Sequence, residues 1–110
     1  MIRGIGPALA QFGVAGVLAA PQLTVFDGSS QAIVSDAGWS NALTAGPSTV
    51  AATYQPATTA IFNQVYAFPL TAGSADSAVV VTLPPGVYTV QVSGVGNTTG
   101  VGLIEVYETQ

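Results

Sequence analysis

The chain has 110 residues, 49% of them hydrophobic and only 5% charged, with a formal net charge of −4. It contains no His or Cys, and Arg3 is its single basic residue. That excludes His-dependent triads, thiol nucleophiles, Schiff bases, zinc sites and iron–sulfur clusters built from this chain alone. One Arg also cannot form the basic patch that a nucleic-acid partner requires.

The length fits one domain spanning residues 1–110, and the apolar content is ample for a core despite 13 Gly and 7 Pro. Twelve Thr and eight Ser supply much of the polar surface in place of mixed charges. That composition suits an extracellular or cell-surface bacterial protein that does without disulfides better than a cytosolic one.

The first twenty residues have the outline of a signal peptide, with Arg3 near the start and Leu18-Ala19-Ala20 as the cleavage site. Gly4, Gly6, Pro7, Gln11, Gly13 and Gly16 interrupt any apolar helix there, so the segment reads as folded domain. It is too short and too broken to span a bilayer.

In chain order, Ile2–Ile5 is a short extended piece. Pro7–Phe12 is one or two helical turns, with Pro at the start and Gly13 at the stop. Residues 22–26 alternate so that Leu23 and Val25 share a face, and Asp27-Gly28-Ser29-Ser30 turns the chain into a partner strand at Gln31–Ser35. Trp39 packs against the sandwich, and Gly46-Pro47-Ser48 is loop. Pro56–Tyr66 reads as a short helix or irregular segment, although its β-branched and aromatic content also allows a strand. Ala78–Leu83 is a continuous apolar run, expected to be buried on both faces. After the Pro84-Pro85-Gly86 turn, Tyr88, Val90 and Val92 point inward and Thr89, Gln91 and Ser93 outward. A loop at Gly94–Gly100 leads to a last strand at Val101–Tyr107. The sum is an all-β, antiparallel β-sandwich of jelly-roll or immunoglobulin-like type with one or two short helical turns.

Three stretches carry a resemblance: Ile2–Leu9, Leu23–Ser29 and the block from Ala67-Phe68-Pro69-Leu70 through Leu83-Pro84-Pro85-Gly86-Val87-Tyr88-Thr89-Val90 to Val101–Tyr107. Together they resemble a β-sandwich repeat module of large secreted and surface proteins of environmental bacteria, Verrucomicrobia-type ones in particular. More distantly, the layout is similar to bacterial pre-peptidase C-terminal domains. The resemblance implies a non-catalytic extracellular sandwich, often appended to other domains. It also implies a further strand before Ile2–Gly6. With Met1 at the start of the sequence, that strand is expected to be absent, the chain being an excised piece or the missing edge being filled by something else.

Some relatives of the pre-peptidase type bind calcium through clustered acidic residues, which makes Asp27, Asp36 and Asp76 weak Ca²⁺ candidates. Their spacing favours turn-forming and capping roles instead. Glu105 and Glu108 point to opposite faces of one strand and cannot cooperate as a glycosidase pair. Gly94-Val95-Gly96…Gly100 lacks the spacing and the following helix of a dinucleotide loop. Asn97-Thr98-Thr99 is a formal glycosylation sequon that chance readily produces. Trp39, Tyr54, Tyr66, Tyr88 and Tyr107 could include a sugar-stacking platform but suit a core better. Arg3 pairs with Glu105 or Glu108 if the first and last strands are neighbours, as an exposed pair worth ~0–1 kcal/mol.

No catalytic residue, cofactor or firm metal site is expected. The leading expectation is a structural module that self-associates into a homo-oligomer or filament by strand addition, because its β-prone segments lack the charges that normally guard sheet edges. Ile2, Ile5, Val79, Val81, Val101 and Leu103 are the residues expected at that contact. The alternative is a monomeric accessory that binds polysaccharide or protein.

Overall fold

The computed structural model describes residues 1–109. Among them, eight strands form two four-stranded antiparallel sheets: β1 (Ile2–Ile5), β2 (Pro21–Phe26), β3 (Ala32–Asp36), β4 (Thr44–Ala45), β5 (Thr53–Pro56), β6 (Ser77–Thr82), β7 (Thr89–Gly94) and β8 (Leu103–Val106). One sheet has the order β5-β6-β1-β8 and the other β4-β3-β2-β7. The architecture is the all-β antiparallel sandwich expected from the sequence. Among the described residues no helix is long and apolar enough to cross a membrane.

The second sheet grows from the β2–β3 hairpin. Burial alternates strictly along β2, with Leu23 and Val25 buried, and β3 returns with Val25 opposite Val34 and Leu23 opposite Asp36. Asp27 sets the turn, because its Oδ1 accepts from the N–H groups of Ser29 and Gln31, both at 2.9 Å. On the other side of β2, β7 adds in register from Pro21–Gly94 to Phe26–Thr89. Its Val90 and Val92 turn to the core and Thr89, Gln91 and Ser93 to solvent, as their alternation requires.

In the first sheet β1 lies between β6 and β8. Both sides of β1 are thus taken by strands of the chain itself. Ile2, Leu23, Val25, Ile33, Val34 and Val79 make the core between the sheets. Gly4 allows the close approach, because a Cβ there would come within 2.9 Å of Val92.

Of the run Ala78–Leu83 expected to be buried on both faces, Ala78 and Val79 are, because the first sheet has a second apolar layer on its outer side, while Val80, Val81 and Leu83 are half-buried and Thr82 is exposed. That layer packs Ile5, Leu9, Trp39, Phe62, Leu70 and Ala78. Leu9 comes from a 3-10 helix at Pro7–Phe12, which opens on Pro7 and stops where Gly13 takes a left-handed φ of 82°. Phe62 comes from α1 (Thr59–Gln64), whose N-cap Thr58 side chain accepts from the Ile61 N–H. Residues 56–66 thus divide, the strand ending at Pro56 before the helix begins. Phe62 is fully buried, which contributes roughly 1.5–3 kcal/mol.

Candidate self-association surface

The three Asp carboxylates are held apart, each accepting from main-chain N–H groups of a different part of the fold. Besides the hairpin turn, Asp27 accepts from the Ser48 hydroxyl, and these donors hold its carboxyl below the ordinary range. Asp76 Oδ1 accepts from the N–H groups of Gly6 (2.8 Å) and Ala8 (3.2 Å), and its Oδ2 from Ser74 Oγ (2.9 Å), so it caps the 3-10 helix. Asp36 shares the inward face of β3 with Val34, and its Oδ2 accepts from the Ala78 N–H at 2.9 Å, tying β3 to β6 of the opposite sheet. Its Oδ1 is buried with no partner, and burial pushes the carboxyl up to about 6. No group of three or more His, Cys, Asp or Glu gathers among the described residues. Each Asp accepts from main-chain N–H groups, Asp27 within its own turn and Asp36 and Asp76 from distant segments, in keeping with the turn-forming and capping roles that their spacing favours.

Arg3 pairs with Glu105, its direct neighbour across β1 and β8, through Nε to Oε1 at 2.9 Å. The expectation of an exposed pair fails, because Arg3 is 0% exposed. Its guanidinium lies 4.8 Å from the Phe62 ring centroid and 4.4 Å from that of Phe68, and Nη1 donates to the Phe68 carbonyl at 2.8 Å. Nη2 is buried without a partner. Glu105 Oε2 accepts from the Tyr107 hydroxyl, which burial and the nearby carboxylate push above its ordinary pKa. The only charged side chain of β8 is therefore neutralised locally and turned to the outer layer, while Glu108 lies exposed beyond the strand.

The aromatic residues are mostly structural. Trp39 is buried, tilted against Phe62 at 5.2 Å, and donates Nε1–H to the Thr71 carbonyl. Tyr54 and Tyr88 pack on the inter-sheet core and Tyr107 on the outer layer. Tyr66 alone among the five stands in solvent, 95% exposed. The Gly94–Gly100 loop holds a short 3-10 turn, Val95–Asn97, with Asn97 exposed at a φ of 60°. No dinucleotide-type helix follows it.

Of the residues expected at a self-association rim, Ile2, Ile5, Val79 and Val81 lie on β1 and β6, the two inner strands of the first sheet. Ile2 and Val79 are paired on both sides, whereas Ile5 and Val81 lie past the end of the β1–β6 ladder and pair on one side only, with Leu103 and Tyr54. Val101 (49% exposed) and Leu103 (40%) lie beside and on the edge strand β8, Val101 with its own N–H and C=O already bonded to Gly16 and Leu18.

Two residues not singled out from the sequence join them. Ile104 pairs with Gly4 and Val106 with Ile2, so both face the interior side of the sheet, yet they are 44% and 69% exposed. Met1 and Tyr107 exchange both main-chain bonds, Tyr107 N–H to Met1 O at 2.8 Å and Met1 N to Tyr107 O at 2.7 Å. Antiparallel alternation then turns the N–H and C=O groups of Ile104 and Val106 outward to the open rim. By the same alternation, the bond from Val95 N–H to Ala20 O leaves those of Val90 and Val92 facing outward from β7. The period-two pattern of Val101–Tyr107 shows which residues share a face; that Ile104 and Val106 stay exposed on the inner face is a tertiary fact without a local signature.

No family model matches this chain, no curated protein matches it, and no solved structure matches it.

Proposed function

We propose that the protein is a non-catalytic structural module whose copies associate by strand addition along the β7/β8 flank, in an extracellular or cell-surface setting. The observation that carries this reading is the pair Ile104 and Val106: apolar, turned to the core side, exposed, and beside unpaired main-chain groups. A free hydrogen-bonding rim next to uncovered apolar side chains is the combination that strand addition satisfies. Edge strands of solitary proteins usually carry a guarding charge, whereas the charge of β8 is already bound to Arg3. The charge-poor, hydroxyl-rich composition supports the extracellular setting. Sizing and negative-stain microscopy over a concentration series test the reading: discrete oligomers or fibres are expected, and particles that remain monomeric at every concentration contradict it.

A second reading, a monomeric module that binds polysaccharide, rests on Tyr66, an aromatic ring 95% exposed at a left-handed φ of 59°. Its test is a saturable glycan pull-down that is lost in Tyr66→Ala.

A further inference from the structure

We infer that the elementary contact between copies is a two-fold pair in which β8 adds antiparallel to β8 of a second copy, centred on Ile104. This rests on the self-association reading and specifies its partner and register. The opposite flank is a poor acceptor: β4 has only two residues, and β5 ends at Pro56, which has no N–H to give. With one flank that exposes large apolar side chains beside unpaired main-chain groups, the surface most complementary to it is the same flank on another copy, and such a contact closes as a pair.

The register follows from three constraints. Apolar side chains of both copies must stay on the same face, so the numbers of opposed residues must add to an even sum. The outward main-chain groups belong to Ile104 and Val106, so these must occupy hydrogen-bonded positions. Centring on residue 105 meets both conditions but sets Glu105 against its own copy, a like-charge opposition that destabilises a ladder. Centring on Ile104 keeps all of β8 in the ladder. It opposes Ile104 to itself, Leu103 to Glu105 of the second copy, and Gly102 to Val106 of the second copy. The two Ile104 side chains then cover each other on the uncovered inner face. Any fibre or array would be assembled from such pairs through a further contact.

Because the chain has no Cys, single thiols can be introduced without background. Opposed residues at hydrogen-bonded antiparallel positions lie about 5.5 Å apart between Cα atoms, within disulfide reach. Ile104→Cys under mild oxidation is expected to be trapped as a covalent dimer in most of the protein, while Ala60→Cys, exposed on α1, is not. An equimolar mixture of Gly102→Cys and Val106→Cys is expected to cross-link mainly between the two variants, which keeps the test valid if Ile104→Cys weakens pairing. If the wild-type protein associates but neither trap forms above the Ala60→Cys level, the two-fold contact is wrong while self-association stands. If the wild-type protein stays monomeric, both are wrong.

Discussion

Along the β4/β5 flank the sandwich ends in a two-residue strand and a strand stopped by Pro56, and Leu43, Ala52 and Tyr54 close over the inter-sheet core. Along the β7/β8 flank the outermost strands have six and four residues, and Ile104 and Val106 remain uncovered although they face inward. Each flank also has its own polar tie near the edge: Asp36 to the Ala78 N–H on the first, Arg3 to Glu105 on the second. The contrast shows that burial and edge protection are solved separately. The first flank limits its rim to a two-residue strand and a strand ended by Pro56, while the second neutralises its charge and leaves the rim free.

The largest effect is expected at Arg3. Arg3→Ala removes a fully buried side chain from between two aromatic rings and leaves Glu105 without its cation. A loss of about 3 kcal/mol in denaturant unfolding is expected. Arg3→Met, which refills the space, should lose clearly less. Equal losses would show that the charge, not the packing, holds β8 in place.

Asp36→Asn probes the first flank. The folded-state pKa of about 6 lies above the ordinary 3.8, so the folded protein binds this proton more tightly than the unfolded chain does. Its favourable contribution is therefore fully present below pH 3.8, is lost as pH rises to about 6, and is absent above. The substitution should raise stability at pH 8 by about 2 kcal/mol and flatten this part of the pH dependence. A wild-type stability that rises between pH 4 and 6 and keeps rising in the Asn variant would show that other carboxylates dominate.

A smaller effect is expected at Gly4, where the sheets approach beside the open flank. Gly4→Ala should cost about 1 kcal/mol, because its Cβ meets Val92 at 2.9 Å. A neutral result would mean that β7 yields outward, which hydrogen exchange along Val90–Val92 would reveal.

Much of the fold was readable from local chemistry. The β2–β3 hairpin follows from Asp27-Gly28 between alternating strands, the 3-10 helix from Pro7 and Gly13, and the facing of Tyr88, Val90 and Val92 from period-two alternation. The burial of Ala78 and Val79 on opposite faces follows from an unbroken apolar run. The candidate surface was readable only in part. Val101 and Leu103 lie at the open flank, but Ile2, Ile5, Val79 and Val81 do not, because strand order within a sheet is decided by contacts such as Ile2–Val106 across the length of the chain. The buried Arg3 was missed for a related reason. Its surroundings come from Phe62, Phe68 and Glu105, far apart in sequence, and a lone Arg near a strand start reads as exposed by default.

Sedimentation velocity over a concentration series, comparing the wild-type protein with Ile104→Lys/Val106→Lys, tests self-association through the open flank most directly. Both substitutions replace exposed side chains, so folding should survive, as near-unchanged circular dichroism and unfolding midpoint would confirm. The account predicts a wild-type protein that associates and a double variant whose association is weakened at least tenfold, about 1.4 kcal/mol. A wild-type protein that sediments as a monomer throughout, or a double variant that associates as well as the wild type, would contradict it.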